Sequence, residues 1–285
     1  GVVSVRGYGG VGALPRDLLA ETPIGAVLHF AAYIEAGESM QVPERFYVNN
    51  TAKSLVLLEA MLEAGIRKFV FSSTAATYGE PEVTPIGETH PQRPTNAYGH
   101  AKLLVEQTLG WMAQLRGLSY AALRYFNASG ASEQLGEDHR PETHLIPLVL
   151  DVAAGRRDHI TVFGTDYPTP DGTCIRDYIH VEDLASAHIL ALESLGEGRT
   201  LACNLGNGQG YSVREVIAAA RRVTGHPIPV REAPRRPGDP AVLVASSEKA
   251  RVALGWTPCY PDLDDIVRSA WAWRLAHPEG YGPQG

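Results

Sequence analysis

Three short runs, GAVLHFAA (25–32), RKFVFSST (67–74) and LSYAALRYFN (118–127), are separated by two long segments of helical period. That alternation limits the fold more than any other feature of the chain. Each run is rich in β-branched and aromatic residues, the pattern of a strand buried on both faces. Between them, Pro43 to Ala64 and Asn96 to Arg116 space their apolar residues as helices do. Strand, long helix, strand is the grammar of a doubly wound, Rossmann-like parallel sheet in an α/β protein.

Past Asn127 the rhythm changes to segments punctuated by Pro and Gly, such as TVFGTDYPTPDGTCIRDYIHV, with helices expected near 212–223 and 263–276. Residues 1–128 therefore read as the sheet domain. Residues 129–285 read mainly as a smaller α/β domain over the C-terminal strand ends, where such sheets bind ligands. About 174–196 is expected to pack back on the first domain. A length of 285 residues accommodates one large α/β domain or two joined ones. The formal charge of −7 argues against a nucleic-acid partner, which calls for a basic face. Cys174, Cys203 and Cys259 are scattered and show no C-x-x-C spacing. They fit reduced cytoplasmic thiols better than a disulfide framework or a zinc site, and no metal is expected. No apolar run approaches the ~18 residues of a membrane span.

Chemistry concentrates at two places. Tyr98 and Lys102 stand at i, i+4, which puts phenol and ammonium on one helix face. A tyrosine titrating near about 10 is a poor base at neutral pH, and a neighbouring cation favours its phenolate. The chain's lysines are Lys53, Lys68, Lys102 and Lys249, so a chance match on a solvated helix is the bland alternative. Second, a buried strand ending in Ser72-Ser73-Thr74 carries hydroxyls to the C-terminal sheet edge, where they can bond a substrate oxygen. Serine and threonine also cap helices, which is the plain reading of that stretch. Strand-end hydroxyls followed one element later by Y-x-x-x-K form a more specific pair than either alone.

At these residues the sequence resembles the extended short-chain dehydrogenase/reductase superfamily and, within it, the UDP-glucose 4-epimerase family. The match runs from about Gly25 to the C-terminus. HFAAYIEAGES (29–39), YVNNTAKSLVLLEAM (47–61), FVFSSTAATYGEP (69–81), NAYGHAK (96–102), LRYFNASGA (123–131), HLIPLVL (144–150), VFGTDYPTPDGTCIRDYIHVEDLASAH (162–188) and RRPGDP (235–240) fall in order. The related sugar-nucleotide dehydratases carry an Asp-Glu pair after the strand-end Thr, whereas Thr74 is followed by Ala75-Ala76.

The resemblance implies interconversion of UDP-galactose and UDP-glucose through a 4-keto intermediate, with NAD retained as a prosthetic group. It implies Tyr98 as general base for the sugar 4-hydroxyl, Lys102 as the cation lowering its pKa, and Thr74 as part of the proton path. It places Phe30, Ala31, Ala32, Asn49, Ser72 and Tyr125, with Tyr98 and Lys102, against NAD. It places Asn127, His144, Leu145, Thr161, Phe163, Arg176, Arg236, Asp239 and Leu243, with Thr74 and Tyr98, against the UDP-hexose. Two arginines suit a diphosphate, since the guanidinium fork pairs with phosphate oxygens. His144 stands where relatives often carry Asn. A homodimer is also implied.

The stretch VVSVRGYGGVGALPRDLL (2–19) contains G-x-G-x-x-G after a short strand-like run, formally a dinucleotide loop. Counting back from Gly25 instead sets Gly7 on the Gly, and Tyr8 on the Asp, of the family's Gly-Asp-Leu/Ile-Arg-Asp segment after its third strand. On that register Gly7–Gly12 is a decoy, Val2–Val5 is a strand beside Val27–Phe30, and the pyrophosphate loop lies ~45–50 residues upstream. This chain alone is then expected to hold NAD poorly. A sugar-nucleotide-binding protein without catalysis, and an epimerase for a related nucleotide sugar, are the alternative readings.

Overall fold

A computed structural model of the chain describes residues 19, 23–236 and 238–282. The Gly7–Gly12 stretch and the strand expected at Val2–Val5 lie outside the described residues.

β1 (Val27–His29), β2 (Lys68–Thr74) and β3 (Ser119–Tyr125) lie side by side, and β8 (Thr200–Leu205) follows β3 in one parallel sheet, four-stranded among the described residues. Alternation along β2 sets the layers. Phe69 and Phe71 point into a cluster with Leu58 and Met61 of α3 (Lys53–Glu63) and Val105 and Leu109 of α4 (Ala97–Arg116). Val70 points the other way, to Leu184, Ala187 and Ala191 of α6 (Val181–Ser194). Helices thus cover both faces, as the doubly wound reading requires.

Before α3 the chain forms two short helices, α1 (Ala36–Ser39) and α2 (Pro43–Phe46), and a π-helical turn at Tyr47–Ala52. The helix expected over 43–64 is therefore broken in kind but continuous in course. β4 (Asn127–Ser129) pairs with β7 (Tyr178–His180), and β5 (Ile160–Phe163) with β10 (Val230–Ala233). β6 (Ile175–Arg176) lies between β9 (Tyr211–Ser212) and β11 (Val242–Leu243). A separate core joins α5 (Leu145–Ala153), α7 (Val213–Thr224) and α9 (Leu263–Ala276) through Val149, Ile217 and Ile266. α7 starts on a reciprocal cap between Ser212 and Glu215 and stops at Gly225, at φ 72°. The short α8 (Glu248–Leu254) follows β11.

Three expectations need correction. The strand expected over 25–32 contracts to Val27–His29, and Leu28 on it is 37% exposed, so β1 is not buried on both faces. The run 118–127 is two strands, because beyond Tyr125 the chain leaves the main sheet and pairs with β7. The return to the first sheet does not stop near residue 196. β8 completes that sheet, and Ala250 of α8 and Trp256 beyond it pack in the same core as Val70. TLACNL carries no β-branched residue beyond Thr200, so its strand character comes from pairing rather than propensity.

Asp177 ties the small sheets together. Its side chain is fully buried and accepts from the backbone N–H groups of Asn207 (2.8 Å), Gly208 (3.0 Å) and Ala245 (3.0 Å). A buried carboxylate needs such donors, since an unpaired one carries a desolvation penalty of several kcal/mol.

Candidate active site

The C-terminal ends of β2 and β3 and the first turn of α4 meet at one place. Asn96 caps α4, its side-chain oxygen accepting from Gly99 N–H at 2.8 Å. Gly99 then lets the helix approach the turn after β2. A Cβ there would sit 2.4 Å from the Ala76 carbonyl oxygen. Ser39 of α1 receives the Tyr98 backbone N–H at 3.1 Å. These contacts seat Tyr98 beside Thr74, whose side chain acts on the phenol. Thr74 Oγ1 also accepts from Ala76 N–H at 3.1 Å.

Lys102, one turn on, is buried, and its Nζ donates to the Ser72 carbonyl at 2.8 Å. Burial pulls its ammonium down to about 7, against the opposing pull of Glu106. Burial likewise holds the Tyr98 phenol above its ordinary value, with the neighbouring Thr74 side chain opposing and Glu35 adding to the rise. The depressed Tyr98 pKa expected from Lys102 is therefore not found in this state. The ammonium is turned to a backbone carbonyl, and desolvation of the phenol dominates.

The Lys102 shift has a measurable sign. An unfolded lysine titrates near 10.5. Between about 7 and 10.5 the unfolded chain binds the extra proton, so stability rises with pH across that window. Below about 7 the native state carries the full penalty of a buried ammonium. Lys102→Met is expected to be more stable than the parent at pH 6, with the gap closing toward pH 10, as read by denaturant unfolding. Parallel curves would count against a strained ammonium.

Other groups gather around this pair. Tyr125 is hydrogen-bonded to His188 Nε2 of α6, and the Ser72 side chain lies close to its phenol. Phe30, 56% exposed at the end of β1, lays its ring 4.8 Å from the His188 ring. Ala31 and Ala32 follow in the same loop, and Asn50 holds it by bonding both the N–H and the carbonyl of Tyr33, each at 2.8 Å. Asn49 bonds Asn50 and Lys53.

A second group forms from β5, β6 and the 235–240 loop. Arg176 Nη2 donates to Asp239 Oδ1 at 2.9 Å, and Arg236 Nε donates to Asp239 Oδ2 at 3.2 Å. The Arg236 guanidinium lies 5.0 Å from the centre of the Phe163 ring. Arg176 is mostly buried, whereas Arg236 is open to solvent. Thr161 lies on β5 two residues before Phe163, and Leu243 pairs in register with Arg176. Asn127 opens β4, its backbone N–H donating to the Asp177 carbonyl at 2.9 Å. His144 and Leu145 stand at the start of α5. Hydrogen bonds donated to the Glu137 and Glu142 carboxylates raise the His144 imidazole to about 10.

Sequence reasoning had no sight of Ser39, Gly99, Asn50 or His188, which act through contacts between distant segments. It also missed the polar layer beneath Lys102. There Arg124 grips Glu106 with Nε at 3.0 Å and Nη2 at 2.6 Å, and donates to the Tyr78 hydroxyl at 2.7 Å. The Tyr78 hydroxyl donates in turn to Asn204 Oδ1 at 2.6 Å.

Nicotinamide is a flat amide on a ribose, and an exposed ring beside hydroxyls and an ammonium suits it. Phe30, Ser72, Tyr125, Tyr98 and Lys102 present that set at the C-terminal edge of a parallel sheet, so the described residues fit this end of NAD. Sheet and site together define an extended short-chain dehydrogenase/reductase. Comparison with known proteins agrees. Residues 13–206 match the NAD dependent epimerase/dehydratase family. A UDP-glucose 4-epimerase of Halalkalibacterium halodurans is 55% identical over 264 residues, 92% of this chain and 79% of that protein. A crystal structure of a UDP-glucose 4-epimerase superposes with a TM-score of 0.91 at 52% identity, covering 96% of this chain and 85% of that one. The Bifidobacterium longum enzyme in complex with NAD+ and UDP superposes at 0.90 with 41% identity, covering 96% and 84%. The chain belongs to the NAD dependent epimerase/dehydratase family.

Proposed function

We propose that this chain is a UDP-glucose 4-epimerase, interconverting UDP-galactose and UDP-glucose with NAD as cofactor. The Tyr98 phenol beside Thr74 at the sheet edge, one helical turn from buried Lys102, carries the reading. When bound, NAD supplies a reversible hydride acceptor for the sugar C4. Tyr98 takes the 4-hydroxyl proton and returns it, and Thr74 orients that hydroxyl. Lys102 positions the ribose beside Tyr98 and, released from Ser72, favours the phenolate.

The UDP is held by the second group. Asp239 holds both guanidiniums in place, which leaves their remaining N–H groups for phosphate oxygens. Phe163 offers a ring for uracil. Asn127, His144, Leu145, Thr161 and Leu243 complete the substrate wall, and Phe30, Ala31, Ala32 and Asn49 the cofactor wall. Residues 1–128, with about 174–196 and the later β8, α8 and Trp256 packed back on them, form the cofactor domain, and the rest of 129–285 the substrate domain. A second copy of the chain docks on α4, where Trp111 and Leu115 are 63% and 69% exposed at i, i+4. Among the described residues no helix is long and apolar enough to cross a membrane, and we place the protein in the cytoplasm.

The test is turnover of UDP-galactose by purified protein, together with release of NAD on denaturation. UDP binding with neither turnover nor bound NAD would instead favour a sugar-nucleotide-binding protein without catalysis. Leu243 addresses substrate breadth. Its side chain is of middle size, and Leu243→Tyr is expected to lower kcat/KM for UDP-GlcNAc relative to UDP-glucose by roughly tenfold, the effect of a poor fit in a binding wall. Unchanged selectivity removes Leu243 from the wall.

A further inference from the structure

The loop between β4 and α5 brings His139, Glu142 and His144 together, and their ligand atoms all lie within 4.8 Å of one another. The reaction proposed above uses neither His139 nor Glu142. Nothing about the run H-x-x-E-x-H stood out in the sequence, because its spacing is not that of a helical metal motif.

The hydrogen bonds around His139 are what a metal ligand needs. Its Nε2 lies 3.0 Å from Glu35 Oε1, across from the loop after β1. In the neutral ring that bond places the proton on Nε2 and leaves a lone pair on Nδ1. Nδ1 is buried, has no hydrogen-bond partner, and lies 3.8 Å from Glu142 Oε1. A carboxylate behind one imidazole nitrogen, with the other nitrogen bare, is the arrangement that orients histidine toward a metal.

The other ligands are held as well. Glu142 Oε1 accepts from the backbone N–H groups of Thr143 (2.7 Å) and His144 (2.8 Å). His144 Nδ1 lies 3.0 Å from Glu142 Oε1 and 2.5 Å from Glu137 Oε1, so Glu137 stands ready as a fourth donor. We propose that His139, Glu142 and His144, with Glu137 completing the set, form a binding site for one divalent transition ion of the zinc class. Two imidazoles with carboxylates select zinc, cobalt or nickel over magnesium and calcium, which prefer all-oxygen sites. Ligands about 2.1 Å from one ion are at most about 4.2 Å apart. The three ligand atoms lie within 4.8 Å of one another, and the exposed His144 side chain is free to move toward an ion. The ion replaces the His144 proton, which passes to solvent. Through Glu35 it also clamps the loop after β1 to the loop before α5. The site shares His144 with the substrate wall, whereas His139, Glu142 and Glu35 stand outside it, so cobalt binding tests the site whether or not the chain turns over UDP-galactose.

Cobalt(II) is the probe, since its visible absorption reports ligand number and its intensity marks a tetrahedral site. Titration of the tag-free protein is expected to give one equivalent with an intense d–d band, displaced by zinc. His139→Ala is expected to abolish the band, and Glu35→Gln to weaken binding about 10–100-fold, the usual effect of removing an outer partner. His139→Gln, which keeps size and polarity, guards against a folding defect and should behave like His139→Ala while retaining the parent's circular dichroism. Cys259→Ser should change nothing, because that exposed thiol lies outside the set. Absence of a stoichiometric band, or a band that survives His139→Ala or vanishes in Cys259→Ser, overturns the proposal.

Discussion

Tyr98→Phe is expected to lower turnover of UDP-galactose by about 10²–10⁴-fold while leaving UDP binding within a factor of about two. The substitution removes one oxygen and keeps the ring that packs beside Thr74. It takes away the group that accepts the 4-hydroxyl proton. The groups assigned to the nucleotide, Arg176, Arg236 and Asp239, bond one another and make no hydrogen bond to Tyr98. Loss of turnover should therefore appear in kcat, with UDP affinity by calorimetry unchanged. Thr74→Val removes only the partner hydroxyl and should fall between parent and Tyr98→Phe. Near-normal turnover in the Tyr98→Phe variant would falsify the general-base assignment.

The largest stability effect is expected from Arg124→Met. Arg124 and Glu106 are both almost fully buried, at 6% and 7% side-chain exposure. Ser73 and Gln92 also donate to Glu106. Removing the guanidinium leaves a carboxylate in the core with too few donors, a change that typically destabilises by about 3–5 kcal/mol. For a chain of this size that is roughly a 10 °C fall in Tm. The double variant Arg124→Met with Glu106→Leu should recover most of the loss, because the orphaned charge goes with its partner. If the double variant is as unstable as the sum of the singles, the pair is not coupled. Since Glu106 also faces Lys102, the same single variant should alter activity in protein that remains folded.

Much of this architecture was legible because it is local. Phe69, Val70 and Phe71 announce a strand buried on both faces, and Asn96 with Gly117 brackets α4 at the residues that cap it. Tyr98 and Lys102 stand out by their i, i+4 spacing together with the Ser72-Ser73-Thr74 strand end. What stayed hidden is set by meetings between distant segments. Ser39 reaches Tyr98 across 59 residues, and Tyr78 reaches Asn204 across 126. Neither residue carries a pattern that names its partner. β8 was missed for a related reason. Its sequence is weak as a strand, and the ladder with β3 makes it one. The same limit applies to the pKa of Tyr98, since spacing gives the distance to an ammonium but not which carbonyl that ammonium faces.

The order β1-β2-β3-β8 has a consequence for how such a protein can change over generations. β8 joins the main sheet only after the chain has built β4 to β7, and Trp256, later still, fills the core behind Val70. Each half is threaded through the other. A gene cut near residue 129 would encode one piece missing a strand and another carrying that strand with nothing to pair to. The second half cannot be traded as a cassette between relatives. New sugar preferences must instead arise by point substitution and by exchange of surface loops such as 131–144 and 235–240, with the woven frame inherited whole.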